Sequence, residues 1–234
     1  MDESFQRKEK VHSNSLLITK TEEYNEYRRT LLGQFKNYIL FISFLIGIYY
    51  IFLKNERDWL MGISLSILPP LLVNFPFFAY KNISWIHRKY NINLLKFYEG
   101  IALLILILSS TGSIYLFYIP IEFDWFVHFI ETFSASLMIV IFITIYKENK
   151  NGIYMGAKKA GWLIFWYSIA IAILWEIYQF TGDTILGTKM FYDYNQTVIM
   201  DAITDIISGI LGGTIGAFLV YKYYWDKILT YFKR

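Results

Sequence analysis

The chain has 234 residues, 56% of them hydrophobic and 20% aromatic, with only 18% charged and a mean hydropathy of +0.37. That is too apolar for a disordered segment or an ordinary soluble domain, and it excludes most soluble enzymes. The net charge is +3, and the absence of cysteine leaves no disulfide, thiolate zinc site, iron-sulfur cluster or cysteine nucleophile, so any metal must be held by oxygen and imidazole.

Residues 1–30 are polar and of mixed charge and lack the pattern of a secretory signal peptide. Thr21 can cap a short helix, with Glu22 and Glu23 in its first turn. Tyr24, Tyr27, Arg28, Leu31 and Phe35 then recur at helical spacing, which reads as an amphipathic segment lying on a membrane surface. Residues 31–221 form one polytopic domain, and 222–234 a basic tail.

Six apolar blocks, at residues 31–53, 59–80, 94–118, 125–146, 162–180 and 198–221, are each near the twenty residues that a helix needs to cross a bilayer. The fold class expected is therefore all-α, a polytopic membrane helical bundle with six transmembrane helices. Pro69, Pro70 and Pro76 remove helical hydrogen bonds from the second span, which should be kinked or locally unwound. All but three of the 22 basic residues (Lys54, Arg57 and Lys189) fall on one side of this arrangement. The positive-inside rule then puts both termini in the cytoplasm, in a cell (plasma or inner) membrane. Trp59, Trp125 and Trp175 would mark the outer interface and Trp85, Trp162 and Trp225 the inner one. Basic residues sorted by membrane side make nucleic acid an unsuitable partner.

Ionisable residues inside spans are costly and tend to be functional. At the start of the fourth span Asp124, His128 and Glu131 stand at i, i+4, i+7, on one helix face. Glu176, Gln179 and Asp183 repeat that face where the fifth span ends, and Asp201 and Asp205, followed by Ser208, do so where the sixth begins. All three groups share the outer membrane level, whereas Asp183 and Asp193 read as loop residues. So many carboxylates persist together if some are protonated, if water fills the pocket, or if a cation is bound, and the donor set suits magnesium, manganese, calcium or zinc. Gly209, Gly212, Gly213 and Gly216 include two overlapping G-x-x-x-G spacings. They allow close approach of another helix of the chain, or a homo-oligomer through the Gly209 and Gly213 face.

The runs Asp124-Trp125-Phe126-Val127-His128-Phe129, Trp175-Glu176-Ile177-Tyr178-Gln179 and Asp201-Ala202-Ile203-Thr204-Asp205, with Gly209 and Gly212 behind the last, resemble the VanZ-like superfamily of membrane proteins, most closely its YjdF-like branch. The resemblance covers roughly residues 122–219. Ser208 stands where VanZ usually has asparagine, Glu131 departs from both groups, and the arginine of many VanZ-like proteins has no counterpart beyond Lys189. The resemblance implies a shared site more than an activity, VanZ itself being associated with low-level glycopeptide resistance.

The expectation is an outward pocket in which Asp124, His128, Asp201 and Asp205 hold a divalent metal. Glu176 and His128 do catalytic work there, Glu176 as the base that activates water, and Glu131 and Gln179 contact the substrate. The partner would be a membrane lipid or lipid-linked envelope molecule, bound or hydrolysed at its headgroup. A proton- or cation-coupled carrier, using the proline-rich second span with Asn74, and a non-catalytic binding or scaffold protein are the alternatives.

Overall fold

The computed structural model describes residues 22, 25–53, 59–114, 121–186 and 197–234. The elements in chain order are α1 (Leu31–Leu53), α2 (Trp59–Asn82), the short α3 (Ser84–Lys89), α4 (Ile92–Ile114), α5 (Ile121–Asn151), α6 (Ala157–Thr181), α7 (Val198–Leu219) and α8 (Trp225–Phe232). Wider π-type turns, Gly182–Leu186 and Val220–Tyr224, extend α6 and α7. Among the described residues the extended contact is one isolated bridge, Tyr90 to Lys233. Four stretches are long and apolar enough to cross a membrane: Leu32–Tyr49, Phe123–Asn151, Ala157–Ile185 and Val198–Phe232. The other long helices, α2 and α4, have 24 and 23 residues.

The outward faces carry large apolar side chains, among them Phe41, Phe52, Phe75, Trp166, Leu174, Ile199 and Phe218. A lipid-facing wall has this character, because hydrocarbon demands satisfied backbone within each helix and apolar groups around it. Polar side chains are instead turned inward. Thr132, Ser134, Ser136, Thr144, Ser168 and Ser208 are all buried, and three of them donate the hydroxyl hydrogen to a carbonyl of their own helix, Ser136 to Phe133 at 2.8 Å, Thr144 to Val140 at 2.7 Å and Ser168 to Ile164 at 2.8 Å.

α5, α6 and α7 pack against one another, and α1, α2 and α4 form the neighbouring group, joined to the first through α4 and α5. α5 ends at Asn151, where Gly152 adopts φ 67, the left-handed conformation that stops a helix without a Cβ clash. α7 is seated by its glycines. A Cβ on Gly212 would strike the Phe129 backbone, one on Gly213 the Ser168 side chain, and one on Gly216 the Phe133 ring. Gly209 faces Thr132 and Ala172. The small-residue face is thus filled by α5 and α6 of the same chain, and Gly209 and Gly213 serve packing within it.

Several local expectations are revised. Helix α2 runs unbroken through Pro69, Pro70 and Pro76, without the unwinding that missing N–H groups suggested; its packing against α1 and α4 outweighs them. Asp183 belongs to the π turn that carries α6 onward and not to a loop. Tyr27 is turned into the bundle at 2% exposure, where its hydroxyl donates to Glu99. Thr21, Tyr24, Lys189 and Asp193 lie outside the described residues.

The tail also contains α8, which inserts Trp225, Leu229 and Phe232 into the main core beside Tyr90, Ile141 and Ile145. Trp225, placed at the interface by its sequence position, is 1% exposed and donates its indole N–H to the Met155 carbonyl at 2.6 Å. Around this insertion Lys233 pairs with Glu148 at 2.6 Å, Tyr90 donates to Glu148 at 3.1 Å, and Asn91 takes the carbonyls of Tyr231 and Lys233. The C-terminal helix is thereby latched under the ends of α4, α5 and α6.

Candidate functional site

The opposite end of this helix group holds the ionisable residues of interest. Thr197 caps α7 by accepting the Met200 amide at 3.4 Å. The Ser208 hydroxyl donates to the Trp125 carbonyl, and Gly212 lets α7 touch the Phe129 backbone. These two contacts fix the register of α7 on α5. They bring Asp205, one turn before Ser208, opposite His128, the neighbour of Phe129.

His128 Nε2 lies 3.2 Å from Asp205 Oδ2 and 3.7 Å from Asp124 Oδ1. Asp205 is 1% exposed and His128 8%, while Asp124 opens the group to the surface with a side chain 23% exposed. One ligand atom from each of the three lies within 4.8 Å of the others. Donors on opposite sides of a divalent cation bound at about 2.0–2.6 Å are about 4–5 Å apart, so the three match the first shell of such an ion with positions left for water or a substrate oxygen. Two carboxylates and one imidazole are also the hard, oxygen-rich set that magnesium, manganese, calcium or zinc accepts.

Glu176, near the end of α6, is buried at 6% exposure. With its amide nitrogen turned towards Glu176 on the same helix, Gln179 donates to Glu176 Oε1 at 3.1 Å and Oε2 at 3.3 Å. Asp201 is 5% exposed. Asp201 and Glu131 fall outside the three-residue group that offers clustered ligand atoms. Glu131 lies one turn deeper on α5, half-buried. The structure thus joins Asp124, His128 and Asp205 directly and pairs Gln179 with Glu176.

A second buried charge was not read from the sequence. Glu99 of α4 is wholly buried, pairs with Lys36 of α1 at 2.9 Å, and accepts the Tyr27 hydroxyl on its other oxygen. The available signal was a lone acidic residue within the apolar stretch 94–118. Lys36 was counted with the basic residues bordering the first span.

The family described as "Predicted membrane protein (DUF2238)" matches residues 36–226. The match runs from α1 to α8 and takes in Asp124, His128, Glu176, Asp201 and Asp205, so this chain belongs to that family of membrane proteins. No curated protein and no solved structure matches the chain.

Proposed function

We propose that this protein crosses the plasma or inner membrane six times with both termini in the cytoplasm, belongs to the VanZ-like superfamily near its YjdF-like branch, and binds a divalent cation at Asp124, His128 and Asp205 on its outer side. Sorting of the basic residues supports the orientation, and the outer-end motifs support the superfamily. The observation that carries the metal reading is the approach of one donor atom from each of the three residues to within 4.8 Å.

In this reading a divalent ion held by Asp124, His128 and Asp205 would polarise a headgroup oxygen of a lipid or lipid-linked envelope molecule and make a bound water more acidic. Glu176, oriented by Gln179, takes the water's proton. Asp201 and Glu131 border the site, where they shape access for the substrate or contribute an outer ligand.

The experiment is to incubate the detergent-purified protein with a membrane lipid extract and each of Mg²⁺, Mn²⁺, Ca²⁺ and Zn²⁺, and follow headgroup release by mass spectrometry. Metal-dependent release is expected, falling by about 100-fold or more in Glu176→Gln with bound metal unchanged. Unaltered lipids under all four metals would contradict the hydrolytic reading.

A further inference from the structure

At the other end of the bundle, between α1, α2 and the residues preceding α1, lies a cavity of about 250 Å³ whose wall includes Tyr27, Arg28, Lys36, Asn37 and Asn74. It is smaller than the roughly 300–1,000 Å³ of most small-molecule sites, a size for a single polar headgroup. Among the described residues no acidic side chain lines it. Glu99 stands behind the wall and holds Lys36 and Tyr27 in place. A buried ion pair of this kind costs desolvation unless its members are well oriented, and here it positions an ammonium at the cavity surface with one of its three N–H groups engaged by Glu99. Arg28, exposed at the mouth, adds a guanidinium whose planar fork matches two phosphate oxygens. Two amide side chains, Asn37 and Asn74, supply further hydrogen-bonding groups around the same volume.

We infer that this cavity is a second binding site, distinct from the outer carboxylate group, for a phosphate-bearing anion. Arg28 and Lys36 provide its charge, and Asn37 and Asn74 orient the bound oxygens. The site opens at the end of the bundle where the basic residues are concentrated, and basic pockets between membrane helices at such an end accept anionic headgroups. A phospholipid of the adjoining leaflet and free phosphate share the recognised group.

The test is the melting temperature of the full chain in detergent, titrated separately with dioctanoyl phosphatidylglycerol, with dioctanoyl phosphatidylcholine and with inorganic phosphate. A ligand of the folded state raises it saturably. Stabilisation by phosphatidylglycerol over phosphatidylcholine identifies the lipid as the source, and stabilisation by inorganic phosphate as well shows that the free anion suffices. In either case the half-saturating concentration rises by about tenfold or more in Arg28→Gln. Asn37→Leu, also at an exposed position, weakens binding in the same direction, and Arg88→Gln, which removes an exposed charge elsewhere on the surface, leaves it unchanged. Stabilisation by neither phosphate nor phosphatidylglycerol, or an equal loss in Arg28→Gln and Arg88→Gln, would overturn the inference.

Discussion

His128 Nε2 and Asp205 Oδ2 stand 3.2 Å apart across the α5–α7 interface, both nearly removed from solvent. A carboxylate and an imidazole so placed offer two donors to one ion, and Asp124 offers the third from the surface side. Asp205→Asn should therefore abolish the gain in melting temperature that Mn²⁺ or Zn²⁺ gives the native protein, a gain of about 5–10 °C when the ion is in large excess over its dissociation constant. Glu131→Gln should keep most of that gain. Equal losses in the two variants would show that the ion sits deeper on α5 than the three-residue group.

The seating of α7 is tested by a pair of residues. Gly213→Ala places a methyl against the Ser168 side chain and should destabilise by about 1–3 kcal/mol, read from chemical unfolding in detergent. Ser168→Gly removes that obstacle, so the double variant should recover part of the loss. Gly212→Ala meets the Phe129 backbone, for which no side-chain change can compensate. A Gly213→Ala protein as stable as the native one would mean that α7 does not lie this close to α6.

Lys36→Met leaves the Glu99 carboxylate buried without its cation and should cost about 3–5 kcal/mol. Replacing both partners, Lys36→Met with Glu99→Leu, should be much milder, since an apolar pair needs no compensation. The comparison is a double-mutant cycle on unfolding free energy, and additive effects would argue that the two residues do not interact.

The C-terminal latch has an alkaline limit. The Tyr154 hydroxyl donates to Asp226, and burial, followed by the Asp226 hydrogen bond and the Asp226 and Glu148 charges, raises its pKa from 10.0 to about 12. Tyr90 is raised too, first by burial and then by Glu148. A folded-state pKa above the unfolded one means that the unfolded chain releases its proton first. Stability is therefore full below pH 10 and declines as the pH rises towards 12. Melting temperatures across that window should fall less steeply in Tyr154→Phe than in the native protein, and identical slopes would remove Tyr154 from the latch.

The lengths of the apolar blocks made the main helices legible, because a membrane span needs about twenty uninterrupted apolar residues and little else. Helical spacing likewise placed Asp124 and His128 on one face. It could not choose between Asp201 and Asp205, which are one turn apart on the same helix. That choice is made by the register of α7 on α5, set by Gly212 against Phe129 and by Ser208 on Trp125, contacts that arise only in the folded chain.

α8 was hidden for a different reason. Lys222, Lys227, Lys233 and Arg234 dominate the composition of the tail, while Trp225, Leu229 and Phe232 stand at i, i+4, i+7 among them, the spacing of a buried helical stripe. Glu99 and Lys36, 63 positions apart, are brought together only by the packing of α1 on α4.

The most direct test of the cation site is elemental analysis of the detergent-purified protein, native against a His128→Ala, Asp205→Ala double variant, after equilibration with Mg²⁺, Mn²⁺, Ca²⁺ and Zn²⁺ and removal of free ions. Near-stoichiometric metal in the native protein and its loss in the variant is the result expected. A native protein without bound metal, or a variant that retains it, would contradict the site formed by Asp124, His128 and Asp205.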